Sequence, residues 1–243
     1  MRSMWKGSIS FGLVNIPVRM YTATQRQNIK FNYLHARCGT PLKYEKTCPI
    51  CELKVPQEEI AMGYEFAKGE YVVLTDEELA RPPGFDGKSI NILDFVELKE
   101  IDPIYYDKTY YLEPAEGGKK AYSLLRKSME QAGKVAVAKV IIRTKEVLAA
   151  LRVYRDLLAL ETMFFANEVR SPEQLTGLEP LEVDSRELTM ALALVENLST
   201  DFNPDQYNDK YREALLELIE QKVQGREVVT QTEPPKDQVV DLM

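Results

Sequence analysis

Long apolar runs, histidine and cysteine are all scarce in this chain of 243 residues, which has 1 His and 3 Cys. None of its apolar runs approaches the roughly 20 residues that a helix needs to cross a bilayer. Residues 1–7 also lack the apolar core of a secretory signal. The sequence therefore predicts a cytoplasmic protein that associates with no membrane and is long enough to fold without disulfides.

The familiar signatures of catalysis are missing as well. There is no Gly-rich phosphate loop of the P-loop or Rossmann type, and the single histidine, His35, lies among the cysteines. No Ser-His-Asp or Cys-His arrangement can therefore be assembled. Five carboxylates could be imagined as ligands of a two-metal nuclease, although they follow no ligand motif: Asp94, Glu97, Glu100, Asp102 and Asp107. A non-enzymatic protein is expected, and a metal-dependent nuclease is the remoter alternative.

Charge is segregated along the chain, although the formal total is only −7. Residues 1–60 carry a net charge of +5 and residues 119–160 carry +7, whereas residues 61–118 carry −8 and residues 161–243 carry −11. A folded chain with this pattern can present one basic surface inside an acidic exterior, which attracts a polyanion to that surface alone. Chance clustering on solvated faces is the alternative.

Basic side chains also recur within a run of alternating residues. After a short amphipathic helix that ends at Gly133, the apolar period changes to two, which places Lys139 and Arg143 on one side of a strand. A second strand follows over residues 148–154, and a tight hairpin would bring Arg152 near the same face. These cations form a candidate phosphate-binding surface, but a solvated sheet face has the same pattern.

The fold class follows from about seven such strands, with few long helices between them. This pattern predicts a mainly β fold with an antiparallel barrel or sandwich. In the C-terminal third the period becomes helical: Asp184 and Glu187 begin one helix, and a second helix ends at Gly225. Its apolar stripe needs a partner surface and comprises Tyr207, Tyr211, Leu215 and Leu218. The expected domains are a core, a helical arm and a flexible tail, over residues 1–184, 185–225 and 226–243.

The single histidine and all three cysteines form one cluster, an H-x2-C pair and a C-x2-C pair separated by nine residues. Each short pair can wrap a turn around one ion, so His35, Cys38, Cys48 and Cys51 predict a tetrahedral Zn²⁺. Four protein ligands leave no position for water, which makes the predicted site structural. Reduced cysteines used as small apolar residues are the alternative.

Cations lie within and beside this segment of about residues 31–56, which is called the metal-binding loop below because zinc is predicted there. They are Lys30, Arg37, Lys43, Lys46 and Lys54. A loop held by zinc loses less entropy when it docks, and therefore suits contact with phosphates. A solvated zinc loop would have the same composition.

Several ordered motifs give the chain a resemblance to a known family. They are Met4–Val18, Gly133–Ala136, Leu148–Arg152, and Phe202-Asn203-Pro204 followed by Tyr207, Asp209 and Tyr211. From Met4 to about Gly225 the sequence resembles bacterial Ku, the DNA-end-binding protein of non-homologous end joining. The resemblance implies a β-barrel core with a projecting bridge that encircles DNA, and a homodimer closed into a ring around the duplex.

The resemblance also implies a helical C-terminal arm that reaches the partner subunit, and recruitment of an ATP-dependent DNA ligase in double-strand break repair. Such a protein is expected in the cytoplasm, associated with the nucleoid. If the basic segments line the ring, the cations that meet phosphates are Lys30, Arg37, Lys43, Lys46, Lys119, Lys120, Arg126, Lys139, Arg143 and Arg152. A zinc-ribbon module acting in transcription or on RNA is the second interpretation, which requires base-stacking residues near Tyr33 and Tyr44.

Overall fold

The computed structural model describes residues 1–80, 88–143, 145–178 and 181–225. The flexible tail predicted over residues 226–243 lies outside the described residues, and the predicted domain boundaries stay predictions. The chain divides into two compact units. One combines Met1–Arg26 with Glu59–Leu175, and the other combines Gln27–Glu58 with the chain from Thr176 onward. The metal-binding loop is thus grouped with the C-terminal helices and not with the strands around it in sequence.

A closed barrel of seven strands forms the centre of the first unit, in the order β1-β2-β6-β9-β8-β7-β5. The nine strands of the described chain are β1 (Trp5–Phe11), β2 (Val14–Thr22), β3 (Met62–Ala67), β4 (Glu70–Leu74), β5 (Ser89–Val96), β6 (Tyr106–Pro114), β7 (Val135–Ile142), β8 (Lys145–Tyr154) and β9 (Leu157–Met163). The prediction of a mainly β protein with a barrel is confirmed.

One seam of this barrel differs from the others. Strands β1 and β5 are parallel and share three residue pairs, centred on Ile9 and Ile90. The other six neighbouring pairs are antiparallel and share five to seven residue pairs each. The barrel therefore closes through its shortest contact.

Alternating side chains from these strands fill the interior. In β7 the side chains of Ala136, Ala138 and Val140 are buried, whereas those between them are only half-buried. The largest fully buried side chains are Ile9, Ile16, Met20, Ile90, Leu112, Leu151, Leu158, Leu160, Val18 and Val140. Since each fully buried aliphatic side chain contributes about 1.5–3 kcal/mol, this interior dominates the stability of the first unit.

Helix α2 (Lys119–Ala132) packs on this core, after the single-turn helix α1 (Asp76–Ala80). It ends as predicted at Gly133, whose φ of 63° suits a residue without a Cβ. From α2 the buried hydroxyl of Tyr122 donates to the carbonyl of Leu112 at 2.7 Å and accepts from the N–H of Leu158 at 2.7 Å. One side chain thus joins the helix to two adjacent strands, and burial raises the pKa of this phenol.

Tyr122→Phe is expected to destabilise the barrel by about 1–3 kcal/mol, because it leaves a buried carbonyl and a buried N–H without their partner. The midpoint of urea unfolding measures this effect. Tyr64→Phe is the matched control, since the Tyr64 side chain is exposed and its hydroxyl has water available. Equal midpoints for the two variants would contradict the bridging role of the Tyr122 hydroxyl.

Strands β3 and β4 form a separate two-stranded sheet. The tight turn at Gly69, with φ of 80°, connects them. Every position of β3 and four of the five in β4 are exposed, including large side chains such as Tyr64, Phe66 and Tyr71. An isolated pair of strands is marginal in water, and these exposed side chains add nothing to the buried core of the barrel.

The C-terminal helices are α3 (Ser185–Leu198) and α4 (Lys210–Gln224), close to the predicted bounds. The carboxylate of Asp184 accepts from the N–H of Arg186 at 2.8 Å and begins α3. Neither helix has a buried residue. Within the described part of the chain, no helix combines the length and the apolar character needed to cross a membrane.

The predicted stripe of the second helix is wrong at one position. Tyr207 lies in a turn before α4, where its ring stacks on Phe202 with centroids 5.8 Å apart. Tyr211 and Leu218 lie on α4 and are 79% and 47% exposed, and Leu215 lies between them on the same helix and is half-buried. The apolar surface predicted for the arm is therefore present, but it is shorter.

Candidate nucleic-acid interface and metal-binding loop

The His35–Cys38 pair lies on a tight turn at the end of a short hairpin. The N–H of His35 donates to the carbonyl of Thr40 at 2.9 Å, and the N–H of Gly39 donates back to His35 at 2.8 Å. Gly39 has a φ of 66°, a conformation that glycine adopts without strain. This turn brings His35 Nδ1 within 3.1 Å of Cys38 Sγ.

The Cys48–Cys51 pair lies on a second hairpin with the same backbone geometry. The N–H of Cys48 donates to the carbonyl of Leu53 at 3.0 Å, and the N–H of Glu52 donates back to Cys48 at 2.9 Å. Glu52 has a φ of 55°, and like Gly39 it follows the first residue of its pair by four positions. A non-glycine residue in this region is strained and persists where the surroundings require the turn.

Both hairpins favour thiolates. Contact with the Thr40 hydroxyl, 3.3 Å away, and with His35 lowers the pKa of the Cys38 thiol to about 7. Backbone N–H groups of Cys51 and Ile50 lower the pKa of Cys48. Because the thiolate is the form that binds metal, these surroundings fit a Zn²⁺ ligand set.

The structure does not bring the two pairs together. Among residues 1–80, 88–143, 145–178 and 181–225, no three His, Cys, Asp or Glu side chains are close enough to hold a metal ion. Each predicted pair is formed, with its ligands on one turn, and the four-ligand site stays a prediction. Sequence reasoning identified the four residues but could not show that the two halves share one backbone geometry.

The predicted cations of this loop are exposed: Lys30, Arg37, Lys43 and Lys46. Lys46 Nζ lies 3.4 Å from the side-chain oxygen of Gln57, a neutral partner that leaves its charge uncompensated. Lys54, a further cation of the loop that is not among the predicted DNA contacts, instead pairs with Glu45 at 2.7 Å. The four predicted side chains are therefore accessible to phosphates.

The predicted cations of the barrel unit differ in availability. Arg126 pairs with Glu130 at 3.2 Å, and Lys139 pairs with Glu146 at 3.2 Å. Within the described residues of this unit, three of the predicted cations have no carboxylate within ion-pair distance: Lys119, Lys120 and Arg143. Arg143 lies in the turn between β7 and β8, with a φ of 61°.

Lys119 and Lys120 lie at the N-terminus of α2, whose cap residue Gly118 has no side chain. The positive end of the helix dipole adds to their charge, since the first backbone N–H groups are also uncapped. Lys119 and Arg126 line a cleft of about 710 Å³ beside this terminus. The same cleft contains two carboxylates, so the strongest positive potential is expected at the two lysines.

Arg152 shares the outer face of the β7–β8 pair with Lys139, as predicted, but its guanidinium already forms an ion pair with Glu161. Its guanidinium donates twice to Glu161 Oε1, at 2.8 and 2.6 Å, and lies 5.3 Å from the centre of the Tyr154 ring. The hydrogen bond to Glu161 raises the pKa of Arg152. This ion pair connects β8 to β9, and its carboxylate is largely shielded from water because Glu161 is only 8% exposed. The sequence analysis did not predict the pair.

The closed barrel, the basic terminus of α2 and the exposed cations of the two hairpins define a β-barrel protein with accessible positive charge. The model of the Ku70/Ku80 beta-barrel domain matches residues 10–190. The chain therefore belongs to the Ku family.

Proteins similar to this chain occur in several bacteria and share one name. The non-homologous end joining protein Ku of Symbiobacterium thermophilum is 51% identical over the whole chain, which spans 61% of that protein. The proteins of that name from Heliobacterium modesticaldum and Bacillus subtilis are 46% and 44% identical, and the chain spans 88% and 79% of them. The predicted resemblance to bacterial Ku is confirmed.

Proposed function

We propose that the protein binds the ends of double-stranded DNA without regard to sequence, as a ring-shaped homodimer in non-homologous end joining. The observation that carries the proposal is the match of the barrel to the Ku family over residues 10–190, together with relatives named for that pathway. In this role the protein supplies binding and not catalysis. An ATP-dependent DNA ligase recruited to the end would seal the break.

The distribution of charge supports phosphate contact. Among the described residues, predicted cations with no carboxylate within ion-pair distance lie at the N-terminus of α2, in the β7–β8 turn and on the metal-binding loop, represented by Lys119, Arg143 and Lys43. The chain as a whole has a formal charge of −7. Contacts of this kind fix the position of a protein on a duplex but carry no sequence information. Binding is therefore expected to follow the DNA backbone.

A second copy of the chain is the proposed cover for the apolar surface of the C-terminal helices. Tyr211 and Leu218 are exposed on α4, and Leu188 and Leu198 are 51% and 80% exposed on α3. Neither helix buries a residue, and repeated exposed apolar side chains of this kind are typical of an interface in soluble proteins. The arm formed by α3 and α4 is proposed to cross to the partner subunit and close the ring.

Zinc is the proposed cofactor of the metal-binding loop. The two hairpins would close on one Zn²⁺ through His35, Cys38, Cys48 and Cys51, with three thiolates and one neutral imidazole. The matching turns and the lowered pKa values of Cys38 and Cys48 support this set. The ion would hold the loop in one conformation and take no part in a reaction.

Replacing Lys43 and Lys46 by Ala is expected to make the slope of log affinity against log salt shallower by up to about 2. Each phosphate neutralised by a cation contributes about −0.9 to that slope on duplex DNA. Titrations of a linear duplex at several salt concentrations measure it. The matched control replaces Lys99 and Lys145 by Ala. These lysines pair with Glu97 and Glu168 at 2.7 and 2.8 Å, and their replacement removes the same amount of positive charge. An unchanged slope in the first variant would exclude the loop from the interface.

A further inference from the structure

Three aromatic side chains of the metal-binding loop are exposed to solvent. Phe31, Tyr33 and Tyr44 are 67%, 72% and 86% exposed. In the part of the chain that the structure describes, no other aromatic ring stacks on them and no cation lies over them. Single exposed apolar residues are ordinary, but three large rings within 14 residues form a concentrated surface.

The backbone places two of these aromatic residues at the same end of the first hairpin. The N–H of Leu42 donates to the carbonyl of Tyr33 at 2.8 Å, and Leu34 pairs with Pro41. Residues opposite each other in such a pair have Cα atoms about 5 Å apart. Tyr44 lies two residues beyond Leu42, so Tyr33 and Tyr44 belong to the same open end of the hairpin, away from the turn at His35.

Cations accompany the rings. Lys30 precedes Phe31, and Lys43 precedes Tyr44. Both lysines are exposed, and neither has a carboxylate within ion-pair distance among the described residues. Aromatic faces next to free cations are the chemistry that binds single-stranded nucleic acid, because bases stack on the rings while phosphates meet the charges. A paired duplex offers phosphates but keeps its base faces stacked within the helix.

We propose that Tyr33 and Tyr44 form a stacking site for unpaired bases, and that Lys30 and Lys43 contact the phosphates of the same strand. The ligand class is the single-stranded overhang of a broken DNA end. This inference rests on the proposed function, because binding of a duplex end delivers the overhang to the loop. A loop held by two hydrogen-bonded hairpins loses little entropy when bases dock, which favours such a site.

The test compares two linear duplexes that differ only in a short oligothymidine overhang, bound by the full-length chain. The unaltered protein is expected to bind the overhang duplex about 10-fold more tightly than the blunt one, since stacking of each base is worth that order of affinity. Tyr33→Leu with Tyr44→Leu is expected to bind both duplexes equally. Phe at both positions should retain the preference, because the ring and not the hydroxyl stacks.

The matched control is Tyr64→Leu with Tyr71→Leu, two tyrosines of the β3–β4 sheet that are 67% and 60% exposed. It should retain the preference for the overhang. An overhang containing 2-aminopurine adds a direct readout, because stacking on a ring quenches its fluorescence. Quenching is expected with the unaltered protein and the Phe variant, and not with the Leu variant of the loop.

Two results would overturn the stacking site while leaving duplex-end binding intact. One is equal affinity of the unaltered protein for blunt and overhang duplexes, and the other is a preference that survives in the Leu variant of the loop. Failure to bind any linear duplex would instead overturn the proposed function. In that case the single strand containing 2-aminopurine is tested without a duplex. Quenching by the unaltered protein that is lost in the Leu variant supports the stacking site, and absence of quenching by the unaltered protein rejects it.

Discussion

Linear duplex is expected to bind tightly at physiological salt, whereas the same sequence as a covalently closed circle should bind only weakly. A closed protein ring must be threaded from an end, and a circle has none. Only non-specific contacts outside the ring would remain available to the circle, with a dissociation constant of the order of 10⁻⁴ to 10⁻⁶ M. Competition of circular against labelled linear DNA, before and after one restriction cut, measures the difference.

Opening the ring supplies the control for this experiment. Tyr211→Glu with Leu218→Glu places two charges on the exposed side of α4, where their exposure of 79% and 47% indicates that the subunit does not need them for its own fold. We expect a monomer in sedimentation, with weak and equal binding to linear and circular DNA. Equal affinity of the unaltered protein for both topologies would refute encirclement and leave an open basic groove.

Loss of the metal is the second large effect expected. Cys48→Ser with Cys51→Ser should reduce bound zinc from about one ion per chain to none, and residues 31–56 should become sensitive to protease. Structural zinc contributes about 10–16 kcal/mol to the folding of small metal-binding units, far more than the few backbone hydrogen bonds of the two hairpins. The barrel should stay folded, since its interior does not involve the loop.

Ile50→Ser is the matched control for metal loss. It introduces serine between the same two cysteines at a side chain that is 90% exposed, and it should change neither metal content nor cleavage. Elemental analysis and limited proteolysis of protein purified without added zinc measure both quantities. Metal-free protein with a protease-resistant loop would show that the cysteines serve another purpose.

Periodicity predicted the elements whose two faces differ in burial. The alternation in β7 and the cap at Asp184 both identified elements close to their observed bounds. Strand β3 was not predicted, although Met62, Tyr64 and Phe66 alternate along it; all six of its positions are exposed, so this alternation marks no buried face. Tyr207 was placed on a helix because it is four residues before Tyr211, but the carboxylate of Asp209 caps that helix after it.

Residue types predicted the candidate site better than charge counts did. The spacing of His35, Cys38, Cys48 and Cys51 identified two turns that the structure contains. Charge counts could not separate Lys119, which has no carboxylate near it among the described residues, from Arg152. The carboxylate that neutralises Arg152 lies on the next strand, and only the register of β8 and β9 reveals the pair. Pairing across strands is a property of the fold that composition does not contain.

The short parallel seam between β1 and β5 has a consequence for the order in which the chain assembles. During synthesis β1 emerges first and pairs with β2, but its other edge has no partner until β5 follows, about 80 residues later. An open strand edge is a site of incorrect association in a growing chain, and a contact this distant in sequence forms slowly. Residues 31–56 are also synthesised within this interval, before the barrel can close. A weakened contact between Ile9 and Ile90 would therefore appear first as a lower yield of closed barrel, before any change in DNA binding.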